Sequence, residues 1–336
     1  RLNEPYDVAV DEQGNIYIAD SGNNKIRRIS VDKGIIETEV GTGKSGFSGD
    51  GGHAENAQLD RPTGIDFDDL GNIYIADLKN NRVRKVDSKS HDISTFAGNG
   101  KTVQDHRIPE DERDGVPAHH SQIPNPESVS LDRANGRVYI TGPPHWQDSR
   151  VRLVDESGII HTLAGAKNGS KPEDGGPADK IEFGSVDHLT IDTGSGGKVF
   201  VGSEDSKRLY MVSGETGHIT TIAGTGELIY SKEHEGGPAT EANLVPQGLA
   251  SYDNGNAIFV NDGGSKAFGS KCIRKIDMES GIITTVAGSG KKGFDGDNGP
   301  AMLAKFDKPR GMAVDSYGNL YIADADNNRV RVIRKP

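Results

Sequence analysis

The sequence predicts an all-β fold: a six-bladed β-propeller of four-stranded antiparallel blades. Three observations predict it. One phrase recurs six times along the 336 residues. Each copy consists of short β-branched or alternating runs separated by Gly, Asp and Asn, the chemistry of strands joined by tight turns. With 45 glycines and only 33% apolar residues, the chain lacks the long 3.6-residue periodicity of amphipathic helices.

The copies can be read in order. The first runs Pro5–Asp11, Gly14–Asp20 and Asn23–Ile29, and the second Pro62–Asp68, Gly71–Asp77 and Asn80–Val86. Weaker copies start at Pro126, near Val186 and at Pro246. The last runs Pro309–Asp315, Gly318–Asp324 and Asn327–Ile333. In the second copy, strand-like runs fall at Gly64–Phe67, Ile73–Ala76, Arg82–Val86 and Asp92–Ala97. A four-stranded sheet cannot bury both faces alone, whereas six around an axis bury every sheet-to-sheet face and leave only short edges. Residues 1–336 therefore read as one domain, with blades starting near 5, 62, 126, 186, 246 and 309.

Composition excludes several classes. The net charge of −11 disfavours nucleic acid and anionic membrane as partners, because both select a positive surface. No apolar run is long enough to span a bilayer, so membrane insertion is not expected. The single Cys272 rules out an internal disulfide and reads as a small buried residue rather than a nucleophile. The chain opens on Arg1 rather than Met, which suggests a piece of something longer.

The phrases Ile283–Gly288, Gly293–Ala301, Pro309–Asp315, Gly318–Asp324 and Asn327–Arg331 resemble those of NHL-repeat propellers in their long-linker bacterial form. The resemblance spans the chain. It implies the propeller fold and an extracellular or periplasmic setting, but names no activity, since one fold hosts many functions. The fourth-strand phrase appears five times, at Gly34–Gly41, His91–Gly98, Gly158–Gly165, Gly217–Gly224 and Gly281–Gly288. The sixth copy ends without it, so a three-stranded last blade is expected, its partner strand lying upstream of residue 1.

Long linkers (41–61, 98–125, 165–185, 224–245 and 288–308) are expected to crowd the face that carries the channel mouth. Repeated residues read as structural. Asp20, Asp77, Asp262 and Asp324 end the second strand, where they bond nearby amides or pair with the basic column Lys25, Arg82, Arg150, Arg208 and Arg329. The linker acids Asp295 and Asp297 fall short of a calcium loop. Glycines at positive φ, with an Asp capping a short turn over Ala301–Ala304, account for them more simply.

Departures from the repeat mark the candidate site. Just after the start of each innermost strand stand Tyr6/Asp7, Thr63/Gly64, Glu127/Ser128, Asp187/His188, Gln247/Gly248 and Arg310/Gly311. Unlike polar groups converging at the channel mouth are the default binding hypothesis. The third copy adds His145 and Trp146, the latter a plausible anchor for a sugar ring or a peptide aromatic. The leading expectation is a recognition module for a protein or carbohydrate ligand. The alternative is a lyase or hydrolase using a divalent ion (Ca or Zn) on Glu127, Asp187 and His188. A Ser-His-Asp mechanism on Ser128, His188 and Asp187 is disfavoured, because adjacent strand residues point to opposite faces.

Overall fold

A computed structural model describes residues 1–101, 113–142, 149–166, 169–192, 197–227, 235–263 and 271–335. Among the described residues it contains six antiparallel sheets whose blade strands follow simple up-and-down order, two of them extended to five strands by a linker segment. Their strands are named a to d outward from the axis. Blade 1 is Pro5–Val10, Ile16–Asp20, Lys25–Ser30 and Ile35–Val40, and blade 2 is Pro62–Phe67, Ile73–Asp77, Arg82–Val86 and Asp92–Ala97. Blade 3 is Val129–Asp132, Arg137–Thr141, Val151–Val154 and Ile159–Ala164, and blade 4 is Val186–Ile191, Lys198–Ser203, Arg208–Ser213 and Ile219–Ala223. Blade 5 is Pro246–Tyr252, Ala257–Asp262, Cys272–Asp277 and Ile283–Ala287. Blade 6 has three strands, Pro309–Val314, Leu320–Asp324 and Arg329–Ile333. Strand a of blade 6 packs on strand a of blade 1 and closes the ring. This is the six-bladed β-propeller the repeats predict.

Apolar clusters lie between consecutive blades. One joins Tyr17, Ile26 and Val40 of blade 1 to Ile65, Phe67 and Ile75 of blade 2. Equivalent clusters fill the next four interfaces. Because strand side chains alternate between faces, each sheet contributes one face to each neighbour, and the core is a set of wedges.

The linkers depart from expectation. Part of each of the first four linkers lies along the outer rim before the chain turns in to the next innermost strand. Gly52 and His53 pair with Ile93 and Asp92 of the next blade's strand d, and Val116 and Pro117 with Ile160 and Ile159. Single bridges, Pro177 to His218 and Pro238 to Ile282, repeat the contact in blades 4 and 5. An outer strand left bare would present unpaired backbone groups, and the linker supplies them with partners.

One acid in each of four linkers fixes this arrangement. Asp50 bonds Arg84 at 2.5 Å and accepts from Thr95 Oγ1 at 2.7 Å. Asp114 does the same with Arg152 and Thr162, and Glu235 with Arg274 and Thr285. Asp297 meets Arg331 at 2.6 Å. The Gly-Asp-Gly-Gly linkers are thus clamps. Gly49 and Gly296 sit at φ of 94° and 90°, and a Cβ on either would meet the Cα of Ala57 or Ala304 at 2.7 Å. The expected Asp cap on the following turn is not formed. That 3-10 turn, Ala301–Leu303, starts after Pro300 and has no side-chain cap.

The acids ending strand b also work differently from expectation. Asp77 accepts the amide of Asp60 in the incoming linker at 2.8 Å, and Asn80 Nδ2 at 2.8 Å. Asp20 and Asp324 accept Asn3 N and Asp307 N, and Asp262 accepts Val245 N. Their arginine partners stand two residues beyond the expected column, at Arg27, Arg84, Arg274 and Arg331. Arg82 and Arg329 of that column instead stack on Phe47 and Phe294, at 3.9 and 3.6 Å from the ring centres. Cys272 is buried, as expected, with Sγ 3.3 Å from Gly288 O.

Candidate functional site

The six a strands surround an axial cavity of about 140 Å³. Asp7, Ser128 and His188 line it, with Asp66, Thr190 and Ser251 nearer the a–b hairpins. At the level of Asp7 the other three blades carry Gly64, Gly248 and Gly311. These glycines are steric necessities. A Cβ on Gly311 would overlap the Asp7 carboxylate, one on Gly248 the Arg310 carbonyl, and one on Gly64 would lie 2.7 Å from Val129 N. Half of this level therefore carries no side chain, and the polar groups that reach the cavity at this level come from blades 1, 3 and 4.

Asp7 is buried and ties blade 1 to blade 2: its oxygens accept Val8 N at 2.8 Å and Ile65 N at 3.1 Å. Burial raises its pKa to about 8, although the two amide bonds pull the other way. Asp66 repeats the device one blade on, accepting Phe67 N and Leu131 N at 2.8 Å each. Burial raises this carboxyl too, with Arg133 opposing.

His188 is only 5% exposed, and neither ring nitrogen has a hydrogen-bond partner among the described residues. Burial, and then the positive charge of Arg310, lowers its pKa to about 4, so the ring is neutral at pH 7. The cavity thus holds a carboxyl that keeps its proton and an imidazole that does not take one.

Other expected residues serve the ring. Thr63 Oγ1 donates to Ala76 O and to Pro126 O of the next blade. Gln247 Nε2 donates to Glu204 at 3.2 Å, and Glu127 is buried, its amide on Thr141 O. Arg310 lies over the ring of Tyr6, 5.0 Å from its centre, and both side chains stay half-buried. His145 and Trp146 lie outside the described residues, as does the side chain of Asp187. No three His, Cys, Asp or Glu side chains stand close enough to hold a metal ion among the described residues.

The repeat can now be set against known proteins. A family model, the NHL repeat, matches residues 2–29, 59–86 and 306–333, which are the last linker residues and strands a to c of blades 1, 2 and 6. The chain thus carries NHL repeats on a six-bladed propeller. It is 25% identical over 345 residues to the Arabidopsis thaliana protein SUPPRESSOR OF QUENCHING 1, chloroplastic, covering 99% of this chain and 30% of that protein. The NHL-repeat chain thus spans less than a third of this relative. An auxiliary nutrient binding protein from Bacteroides ovatus superposes with a TM-score of 0.61 at 14% identity, over 98% of this chain and 68% of that one. A gluconolactonase from Xanthomonas campestris gives 0.59 at 10% identity, over 100% and 87%. At these identities the likeness is one of fold. Among the described residues no helix is long and apolar enough to cross a membrane.

Proposed function

We propose that this NHL propeller is a recognition module that binds a protein or carbohydrate ligand at the linker-side end of the central channel. The observation that carries the reading is the Tyr6–Arg310 pair. A half-buried guanidinium lying over a phenol ring, 5.0 Å from its centre, joins an aromatic surface to a positive charge. Most charged repeat residues around it are committed to clamps between linkers and strands, which leaves recognition to the positions that break the repeat. Trp146 joins the proposed surface on its sequence position. The nutrient-binding neighbour shows that the same architecture serves a binding protein. An exported setting, extracellular or periplasmic, suits a soluble acidic module of this kind.

The test uses a bacterial and plant oligosaccharide microarray and an array of soluble ectodomains. Both are probed with the wild-type chain, Trp146→Ala and a Tyr6→Ala/Arg310→Ala double variant. Capture by the wild type, lost in the double variant without a fall in Tm, supports the reading. Capture that survives the double variant removes it.

A second reading is metal-assisted hydrolysis or elimination at Glu127, Asp187 and His188. It is favoured by His188, whose ring nitrogens are buried at the cavity without a protein partner among the described residues. A divalent ion would supply Lewis-acid polarisation there. Less than stoichiometric metal in the purified protein after incubation with Ca or Zn, with Tm unchanged by chelator, eliminates this reading.

A further inference from the structure

Strand d carries a large apolar residue two positions before its closing glycine. In blades 2 to 5 this residue is Phe96, Leu163, Ile222 and Val286. Each packs on a buried inter-blade cluster. Phe96 covers the ring of Tyr74 edge-on, with centres 4.9 Å apart. In blade 1 the same position is Glu39, and the counterpart of Tyr74 is Tyr17.

The exchange opens a hole. Between blades 1 and 2, beside the a–b hairpins, lies a cavity of about 370 Å³, well above the 140 Å³ on the axis. It falls within the roughly 300–1,000 Å³ of small-molecule sites. Tyr17, Phe67, Ile73 and Val86 give it an apolar floor, and Arg28 and Glu39 supply opposite charges.

Glu39 is poorly placed for stability. Its side chain is 12% exposed, and its nearest base, His91 Nδ1, stands 3.8 Å away. Burial raises its pKa. Arg28 lies over the Tyr17 ring at 5.9 Å, and its Nε is buried without an acceptor among the described residues. No ion pair within 4.0 Å joins Arg28 to Glu39 among the described residues. A leucine here would complete the repeat, whereas a half-buried carboxylate costs desolvation that the charges of Arg28 and His91 offset only in part. Rules broken in this way, with only partial local compensation, are characteristic of functional sites.

We propose that this cavity binds a small zwitterion with an apolar body, in chemical class an aromatic α-amino acid. Its ammonium meets Glu39, its carboxylate meets Arg28, and its ring rests on Tyr17 and Phe67. Asp11 and Asp68 at the rim cap their own hairpins and add negative potential that favours the ammonium end. The site is separate from the linker-side surface and does not depend on that reading.

Calorimetric titration of the purified chain tests it, with L-phenylalanine, phenethylamine and 3-phenylpropionate as probes. L-Phenylalanine is expected to bind. Each analogue lacks one charge and is expected to bind at least about tenfold more weakly, the loss of one charge-assisted hydrogen bond. Glu39→Gln keeps the shape and should weaken L-phenylalanine by about tenfold or more. Glu39→Leu should abolish binding and raise Tm, because it restores the residue type of the other blades. No heat from L-phenylalanine at millimolar concentration overturns the proposal. So does equal affinity for phenethylamine, undiminished binding by Glu39→Leu, or a Tm lowered by that substitution.

Discussion

Asp50, on the linker between blades 1 and 2, reaches Arg84 on strand c of blade 2 at 2.5 Å. Its second oxygen accepts from Thr95 on strand d at 2.7 Å. One carboxylate thus joins a rim segment to two strands of the following blade. Arg84 is fully buried and also touches Asp77 at 3.4 Å. Removing one partner of a buried guanidinium costs up to about 3–5 kcal/mol, less where other acceptors remain. Arg84 keeps Asp77 and the carbonyls of Ser48 and Gln58. Asp50→Ala is therefore expected to cost about 1–3 kcal/mol in urea unfolding. Asp77→Ala, which also strips the Asp60 amide of its acceptor, should cost more. Equal and negligible losses would show that the linkers are held by other means.

The axial cavity should give the chain a distinctive pH response. The folded-state pKa of His188 is about 4, below its ordinary 6.5, so the unfolded chain binds the proton more tightly. Stability contributed by neutral His188 is present above about pH 6.5 and lost as pH falls towards 4. The shift caps this loss at about 3 kcal/mol. His188→Gln should flatten the decline in urea-unfolding stability between pH 6.5 and 4. A decline as steep as the wild type's would mean that His188 is solvated in the folded state.

Asp7 acts in the opposite sense. Its folded pKa of about 8 exceeds the ordinary 3.8, so the folded chain holds the proton more tightly. Its contribution is greatest below about pH 4 and is lost as pH rises to about 8. Asp7→Asn should remove most of that fall while retaining one amide-accepting oxygen. The decisive comparison is the difference in unfolding free energy between pH 5 and pH 8 in the two proteins. An unchanged difference would locate the titration elsewhere.

How much of this could be read beforehand follows from what each signal encodes. Blade starts, strand phrases and the three-stranded last blade were legible because turn residues and alternation are local. The linker path was not, because nothing within residues 41–61 specifies which outer strand they will lie along. The arginines that pair with Asp20, Asp77 and Asp324 were misplaced by two residues for a geometric reason. Residues i and i+2 of a strand share a face, so spacing cannot separate Arg82 from Arg84. The axial level was half read: Asp7, Ser128 and His188 do reach the cavity, but Gly64, Gly248 and Gly311 mark backbone contact rather than open space. Glu39 was visible only on aligning one strand d with the other four.

Thr63 separates a structural from a ligand-binding role at the innermost strand. Its hydroxyl lies between Ala76 O at 3.4 Å and Pro126 O at 3.2 Å, and it is buried. Thr63→Val preserves shape and removes the donor to the next blade, at an expected cost of about 1 kcal/mol. Ligand capture on the oligosaccharide and ectodomain arrays should be unaffected. A variant of unchanged stability that loses capture would place Thr63 in the binding surface instead.

The tightest contact in the ring gives the last prediction. Gly248 has no room for a side chain, because a Cβ there would overlap the Arg310 carbonyl and come within 3.4 Å of the Asn261 Cβ. Asn261 Nδ2 donates to the carbonyl of Pro309, the residue before Arg310, so the two blades meet by hydrogen bond and by contact at one point. Gly248→Ala must push strand a of blade 6 outward, against a ring already closed on blade 1. Overpacking of this kind costs about 1–3 kcal/mol or more. Gly281 offers the control: it sits at positive φ with nothing within 4 Å of where a methyl would go, so Gly281→Ala should incur only the backbone penalty of about 1 kcal/mol. If Gly248→Ala proves no more harmful than Gly281→Ala in urea unfolding, blades 5 and 6 are not in contact at this level, and the channel is wider there than the Gly248–Arg310 approach requires.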